Sequence, residues 1–157
     1  MADCIDARIT GNLLNVFRTI TIANGYETDV KTVELLRTVL RIEDGQYAFC
    51  LVIPNELDPQ SEFSYRDDVL SFMVWFLDGK SDDLPGDPPF TWRLRNVAAD
   101  FIKALKQDPT LGGLAQNIRI PRHNFGLFVD ENIMELGVYM FIEIDRQINP
   151  SDPYQLA

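Results

Sequence analysis

The chain has 157 residues, the size of one ordinary domain, and such a domain buries roughly 70% of the surface that its unfolded form exposes. Hydrophobic residues make up 46% and charged residues 24%, a composition that excludes an intrinsically disordered chain. The formal net charge of -10 argues against tight binding to nucleic acid, because phosphates are bound by clustered lysine and arginine.

The sequence carries no signal for a membrane or for export. No run approaches the roughly 18 apolar residues of a membrane span, and the N-terminus lacks a basic region before an apolar one. Cys4 and Cys50 do not have the spacing of a disulfide framework. We therefore expect a single soluble domain over residues 1–157 in a reducing, intracellular compartment.

The first predicted element is an amphipathic helix over residues 3–23, where apolar residues recur every three or four positions. Asp3 is the expected N-cap. Gly25 is expected to end the helix, because glycine readily adopts the left-handed conformation that closes a helix C-terminus. The apolar face of this helix must pack on another element.

Three strands are predicted next. A strand is favoured for residues 32–42, although residues 33–36 could also be helical, and residues 43–45 are typical of a hairpin turn. Residues 47–53 then form a central strand that Pro54 ends. Residues 69–77 form a strand with apolar residues on both faces. One face should meet a helix and the other a neighbouring subunit, although a strand buried within one domain has the same pattern.

An acidic loop follows at residues 78–87, with carboxylates at Asp78, Asp82 and Asp83. A solvated loop is the better interpretation, because the residue order of a calcium-binding loop and its closing glutamate are missing.

The second predicted helix begins after Asp87, presents an apolar stripe to the sheet and ends at Asp108 and Pro109. Gly112 and Gly113 follow this helix, whereas a phosphate-binding glycine loop follows a strand and opens a helix. We therefore predict a structural turn in which both glycines act through backbone freedom and lead into a strand ending at Ile120.

The last part of the chain contains a connection at residues 121–132, a strand at residues 133–148 and an extended tail at residues 149–157. Phe125 and Phe128 make the connection either a distorted strand or a contact surface. The element order is α-β-β-β-α-β-β, which predicts an α+β fold. We expect a mixed, mainly antiparallel sheet of about four to five strands, packed by two main helices.

No catalytic, cofactor-binding or metal-binding motif is present in the sequence. A zinc site needs about four nitrogen or sulfur ligands, and Cys4, Cys50 and His123 are too few and widely separated. A catalytic pair of Cys50 and His123 is disfavoured, because a thiol in an apolar strand is inert. We therefore expect a protein that is not an enzyme.

Three stretches in this order carry a resemblance to a known family: residues 20–29 (ITIANGYETD), residues 66–77, and residues 108–115 (DPTLGGLA). Together they resemble the tail terminator and tail-completion proteins of long-tailed bacteriophages. The resemblance implies a small structural virion protein that forms a ring, commonly a hexamer, at the head-proximal end of the tail tube. Such a ring stops polymerisation of the tube and forms the joint to the neck.

The implied partners are further copies of the chain, the tail tube protein and a head-completion or neck protein. DNA would pass through the lumen without tight binding, which suits a negatively charged wall. The protein would be found in the virion, and in the host cytoplasm during assembly. The alternatives are a stopper or connector protein on the head side and a small α+β binding module unrelated to phages.

A ring needs two different, complementary patches on each subunit. The interface candidates are large apolar residues without an obvious place in one small core: Trp75, Phe125, Phe128, Tyr139 and Phe141. The candidates for a lumen or docking loop are Asp78, Asp82 and Asp83. Gly25, Gly112 and Gly113 are assigned to structural turns.

Overall fold

The computed structural model describes residues 4–30, 32–35, 49–54, 69–77, 90–130 and 133–146. These residues contain two α-helices and five strands in the predicted order, together with a short 3-10 helix that was not predicted. These elements are α1 (Ile5–Arg18), the 3-10 helix (Ile22–Asn24), β1 (Thr32–Leu35), β2 (Phe49–Pro54), β3 (Val69–Leu77), α2 (Phe90–Gln107), β4 (Asn117–Asp130) and β5 (Ile133–Asp145).

The five strands form one sheet in the order β1-β2-β3-β5-β4. β1 and β2 are parallel and all other neighbours are antiparallel, so the predicted α+β class with a mixed, mainly antiparallel sheet is confirmed. Thr32–Leu35 pairs with β2 in parallel and therefore does not form one arm of a hairpin with it. Residues 43–45, where the turn was predicted, lie outside the described residues.

Both helices pack on one face of this sheet and share one hydrophobic core with it. The ring of Phe101 on α2 lies 4.7 Å from that of Phe17 on α1 and 5.8 Å from that of Phe76 on β3. All three side chains are buried. The apolar stripe of each helix therefore meets the other helix and the sheet at the same place, as the predicted periodicity requires. The sheet contributes alternate residues of its two central strands: Phe72, Val74, Phe76, Val138, Met140, Ile142 and Ile144.

The first helix is shorter than predicted. It begins at Ile5 with Cys4 as its N-cap, and it ends at Arg18 rather than near Ala23. The hydroxyl of Thr19 donates to the carbonyl of Val16 at 2.7 Å, which replaces one of the bonds a continuing helix would make. Gly25 has a φ of 83° and closes the 3-10 helix instead.

A tight turn joins α2 to β4. Leu111, Gly112 and Gly113 follow one another with φ values of 47°, 73° and 82°. The carboxylate of Asp108 accepts hydrogen bonds from the amide and hydroxyl of Thr110 and from the amide of Gly112. Two consecutive glycines allow this left-handed path, because a Cβ opposes it at other residue types.

The turn is also fixed to the first helix. Nδ2 of Asn12 donates to the carbonyl of Leu111 at 2.8 Å, and Leu111 is fully buried. A Cβ at Gly112 would lie 3.1 Å from that same Nδ2 atom, whereas one at Gly113 would have no neighbour within 4 Å. The turn therefore connects three elements: α1, α2 and β4.

The β4–β5 hairpin is long and irregular. The connection predicted over residues 121–132 is mostly strand, in accordance with the distorted-strand alternative, because β4 runs to Asp130. A bulge between Arg119 and Arg122 places two residues of β4 against one of β5. Pro121 lies in this bulge, where its lack of an N–H group is tolerated. Residues 127–130 pair with residues 133–136, beyond the last described β3–β5 pair, Leu77 with Gly137.

Candidate interaction surface

The sheet face opposite the helices, called the outer face below, carries an aromatic cluster on the two central strands. Trp75 of β3 pairs in register with Tyr139 of β5, and Met73 pairs with Phe141. The rings of Trp75 and Tyr139 lie 4.7 Å apart, and those of Tyr139 and Phe141 lie 5.9 Å apart in an edge arrangement. The structure therefore brings together three of the five predicted interface residues.

This aromatic cluster is separate from the core beneath the helices. Trp75 is only 9% exposed, yet it does not belong to the contiguous core that contains its neighbours Val74 and Phe76. Met73, Tyr139 and Phe141 are half-buried. Both described helices lie on the opposite side, so these residues form a second apolar layer of the sheet, as the alternation in β3 predicts.

The outer face becomes charged toward one end of the β4–β5 hairpin. Arg119 contacts Glu143 at 3.3 Å through Nε and Asp145 at 2.6 Å through Nη1. The pKa of the Arg119 guanidinium is raised, chiefly by its hydrogen bond to Glu143 and further by Asp145, so the cation is retained. These ion pairs make one half of the outer face polar, whereas the half with the aromatic cluster is apolar.

The other two predicted interface residues lie in β4. Phe125 pairs with Val138, a core residue, and Phe128 pairs with Glu135. Phe125 therefore does not occupy a position opposite the aromatic cluster, and its prediction as part of one surface with Tyr139 finds no support in the register. The predicted lumen residues Asp78, Asp82 and Asp83 lie outside the described residues.

The strand order separates the two residues considered as a nucleophile pair. Cys50 lies on β2 and His123 on β4, with β3 and β5 between them. Three inter-strand spacings amount to roughly 14 Å, far beyond hydrogen-bonding distance. Within the described residues, no group of three or more histidine, cysteine, aspartate or glutamate side chains could hold a metal ion.

A buried carboxylate that sequence reasoning missed fixes the segment after α1. Oδ2 of Asp100 accepts hydrogen bonds from the amides of Glu27 and Thr28 and from the hydroxyl of Thr28, at 2.8 to 3.0 Å. Lys103, one turn further along α2, donates to the carbonyl of Gly25 and lies over the Tyr26 ring. The available signal was an aspartate inside the apolar stripe of the helix.

A shallow groove lies between the end of α2 and the beginning of β4. Its volume is about 350 Å³, and its lining is apolar apart from one exposed lysine. The lining residues are Ile102, Leu105, Lys106, Pro109, Ile118 and Ile120. The described lining is therefore suited to contact with an apolar segment.

Among the described residues, no helix is long and apolar enough to cross a membrane. No protein-family model matches the chain, and no curated protein sequence matches it. Support for a function therefore comes from the fold, from the geometry of its surfaces and from the resemblance of the three sequence stretches.

Proposed function

We propose that this chain is a structural protein of a bacteriophage tail, which assembles into a ring at the head-proximal end of the tail tube. The observation that carries the proposal is the aromatic cluster of Trp75, Tyr139 and Phe141 on the outer face. Tyr139 and Phe141 are only half-buried within the chain, so part of their apolar surface remains for contact with other subunits.

The mechanism follows from assembly and needs no chemical step. In a ring, each subunit contacts its neighbours through two different patches, and closure of the ring leaves two end surfaces. One end surface binds the last layer of the tube protein and stops further addition, and the other receives a head-completion or neck protein. The net charge of -10 supports a lumen through which DNA passes without adhering.

Size measurement tests the first part of this proposal. Mass photometry of the purified chain should reveal closed assemblies several times heavier than the 17.9 kDa subunit. The assemblies should bind at one end of preformed tail tubes, which gold labelling and electron microscopy would locate. Binding to head-side neck proteins without binding to tube ends would instead identify a stopper protein. A chain that stays monomeric with and without tubes would contradict the ring.

A further inference from the structure

The side of α2 that faces away from the sheet carries a row of exposed residues, called the basic stripe below. These residues recur every three or four positions, so they lie on one face of the helix, opposite the residues that pack in the core. At 1.5 Å per residue, the stripe is about 21 Å long. Its members are Trp92, Arg95, Asn96, Ala99, Lys103 and Lys106.

The charge of α2 is opposite in sign to that of the rest of the chain. The helix holds four of the chain's 14 cationic residues and only one of its 24 acidic residues, so it carries +3 while the remainder carries -13. The one acid, Asp100, is buried and accepts hydrogen bonds from Glu27 and Thr28. Every charged residue of the basic stripe is therefore a cation.

The stripe combines unpaired positive charge with an exposed aromatic side chain. Arg95 and Lys106 form no ion pair with another described residue, whereas Lys103 already donates to the Gly25 carbonyl. Trp92 is 61% exposed. Tryptophan and arginine are enriched among the residues that contribute most to binding at protein interfaces. The stripe therefore has the residue types of a contact surface for an acidic protein.

The net charge of the chain indicates which acidic protein the stripe fits. Two copies that each carry -10 repel one another, so they associate only where opposite charges meet. Salt screens charges beyond about 8–10 Å, so the local charge at the contact decides the outcome. Two basic stripes that faced each other would also repel. A contact between copies that uses the stripe must therefore join it to a different, acidic surface, and the remaining -13 supplies the acids.

We infer that the basic stripe of one copy of this chain binds an acidic surface of a second copy. The contact joins two different patches, so each subunit gives its stripe to one neighbour and its acidic surface to the other. A repeated contact of this type closes into a ring or continues as a filament. The inference rests on the proposed ring and identifies one of the two surfaces that build it.

Charge reversal tests the contact in sedimentation velocity experiments. The double variant Arg95→Glu, Lys106→Glu should weaken self-association about tenfold or more. The matched control is Arg8→Glu, Arg18→Glu, which changes the net charge equally at two exposed cations of α1. It should leave association within about threefold of the unmodified chain. Association of the unmodified chain should also weaken as sodium chloride rises from about 0.05 M to about 0.5 M.

Trp92 provides a readout at the stripe itself. Trp75 is 9% exposed, so acrylamide quenching of the chain's two tryptophans should come mainly from Trp92. This quenching should fall as the chain is concentrated and assembles. Trp92→Ser should weaken association about tenfold or more. Ile22→Ser is its matched control, because Ile22 is a large apolar residue with 60% exposure that lies outside the stripe.

Circular dichroism of each variant separates loss of contact from loss of fold. Equal effects of the α2 and α1 double variants, or association that does not respond to salt, would overturn the inference. An unmodified chain that sediments as a monomer at every concentration would also overturn it. Variants of the stripe that assemble normally but no longer bind tube ends would exclude a second copy as the occupant. If assembly depends on the stripe but tube ends are not bound, the contact stands and the tail-tube function fails.

Discussion

Oδ2 of Asp100 accepts a hydrogen bond from the hydroxyl of Thr28 at 2.8 Å, although the two residues are 72 positions apart in the chain. The same oxygen accepts hydrogen bonds from the backbone amides of Glu27 and Thr28. One carboxylate therefore binds three donors in the segment that follows α1. Asp100 is 3% exposed, and loss of its carboxylate would leave those donors without this acceptor.

The variant Asp100→Ala should therefore lower the free energy of unfolding by about 2–3 kcal/mol. Urea denaturation with a constant m value measures this change. Asn96→Ala is the matched control, because Asn96 is an exposed polar residue one turn earlier on the same helix. Equal effects of the two substitutions would show that the Asp100 hydrogen bonds contribute nothing to stability.

Gly113 tests the contribution of backbone conformation alone. Its φ of 82° is unfavourable for residues with a Cβ, while no atom lies within 4 Å of the position that a Cβ would take. We expect Gly113→Ala to cost about 1–2 kcal/mol of stability. Gly113→Val should cost more, since a β-branched side chain tolerates positive φ less well. If the valine variant melts and assembles like the unmodified chain, the claimed need for glycine is wrong.

At Gly112, a residue with a Cβ would suffer a steric contact as well as the unfavourable positive φ. A Cβ there would lie 3.1 Å from Nδ2 of Asn12, which holds the Leu111 carbonyl. Gly112→Ala should therefore destabilise the chain more than Gly113→Ala in the same melting experiment. The double variant Asn12→Ala, Gly112→Ala should show a coupling, because the alanine at position 12 removes the atom in contact.

At Gly11, unlike at Gly112 and Gly113, we expect alanine to stabilise the chain. It lies in the middle of α1, and a Cβ there would have no neighbour within 4 Å. Glycine in a helix interior costs up to about 1 kcal/mol relative to alanine. Gly11→Ala should therefore raise the melting temperature, and a lower value would show that the space above α1 is used for packing.

Substitutions at two neighbouring residues of β5 distinguish the contribution of the outer face from that of the core. Met140 is 1% exposed beneath the helices, while Tyr139 is half-buried against Trp75. Met140→Ala should lower the free energy of unfolding by about 2–5 kcal/mol. Tyr139→Ser should leave the chain folded and weaken its self-association. Loss of the fold in both variants, seen by circular dichroism, would place Tyr139 in the structural core instead.

Much of the fold follows from local patterns in the sequence. The alternation in β3 predicts its limits, Val69–Leu77, as the structure has them, and the apolar stripe of α2 predicts which residues meet the sheet. The parallel pairing of β1 with β2 could not be predicted, because it depends on the path of the chain between them. The Asp100 hydrogen bonds were missed for a related reason, since their donors lie far away in sequence.

The candidate surface was predicted in part, and a single bulge explains much of the difference. Trp75, Tyr139 and Phe141 follow regular alternation and meet on one face as expected. The bulge between Arg119 and Arg122 shifts the register of β4 by one residue. It places Phe125 opposite Val138 instead of Gly137, and a shift of one residue exchanges the two faces of a strand. Bulges have no reliable sequence signature, so this register of Phe125 could not be predicted.

The central claim is that this chain ends a tail tube, and the length of tubes assembled in its presence tests that claim most directly. Purified tube protein should be polymerised with and without the chain, and tube lengths should be measured by electron microscopy. We expect the chain to bind one tube end as a ring and to arrest growth there, so that length falls as its concentration rises. Tubes of unchanged length, with no density at either end, would contradict the account.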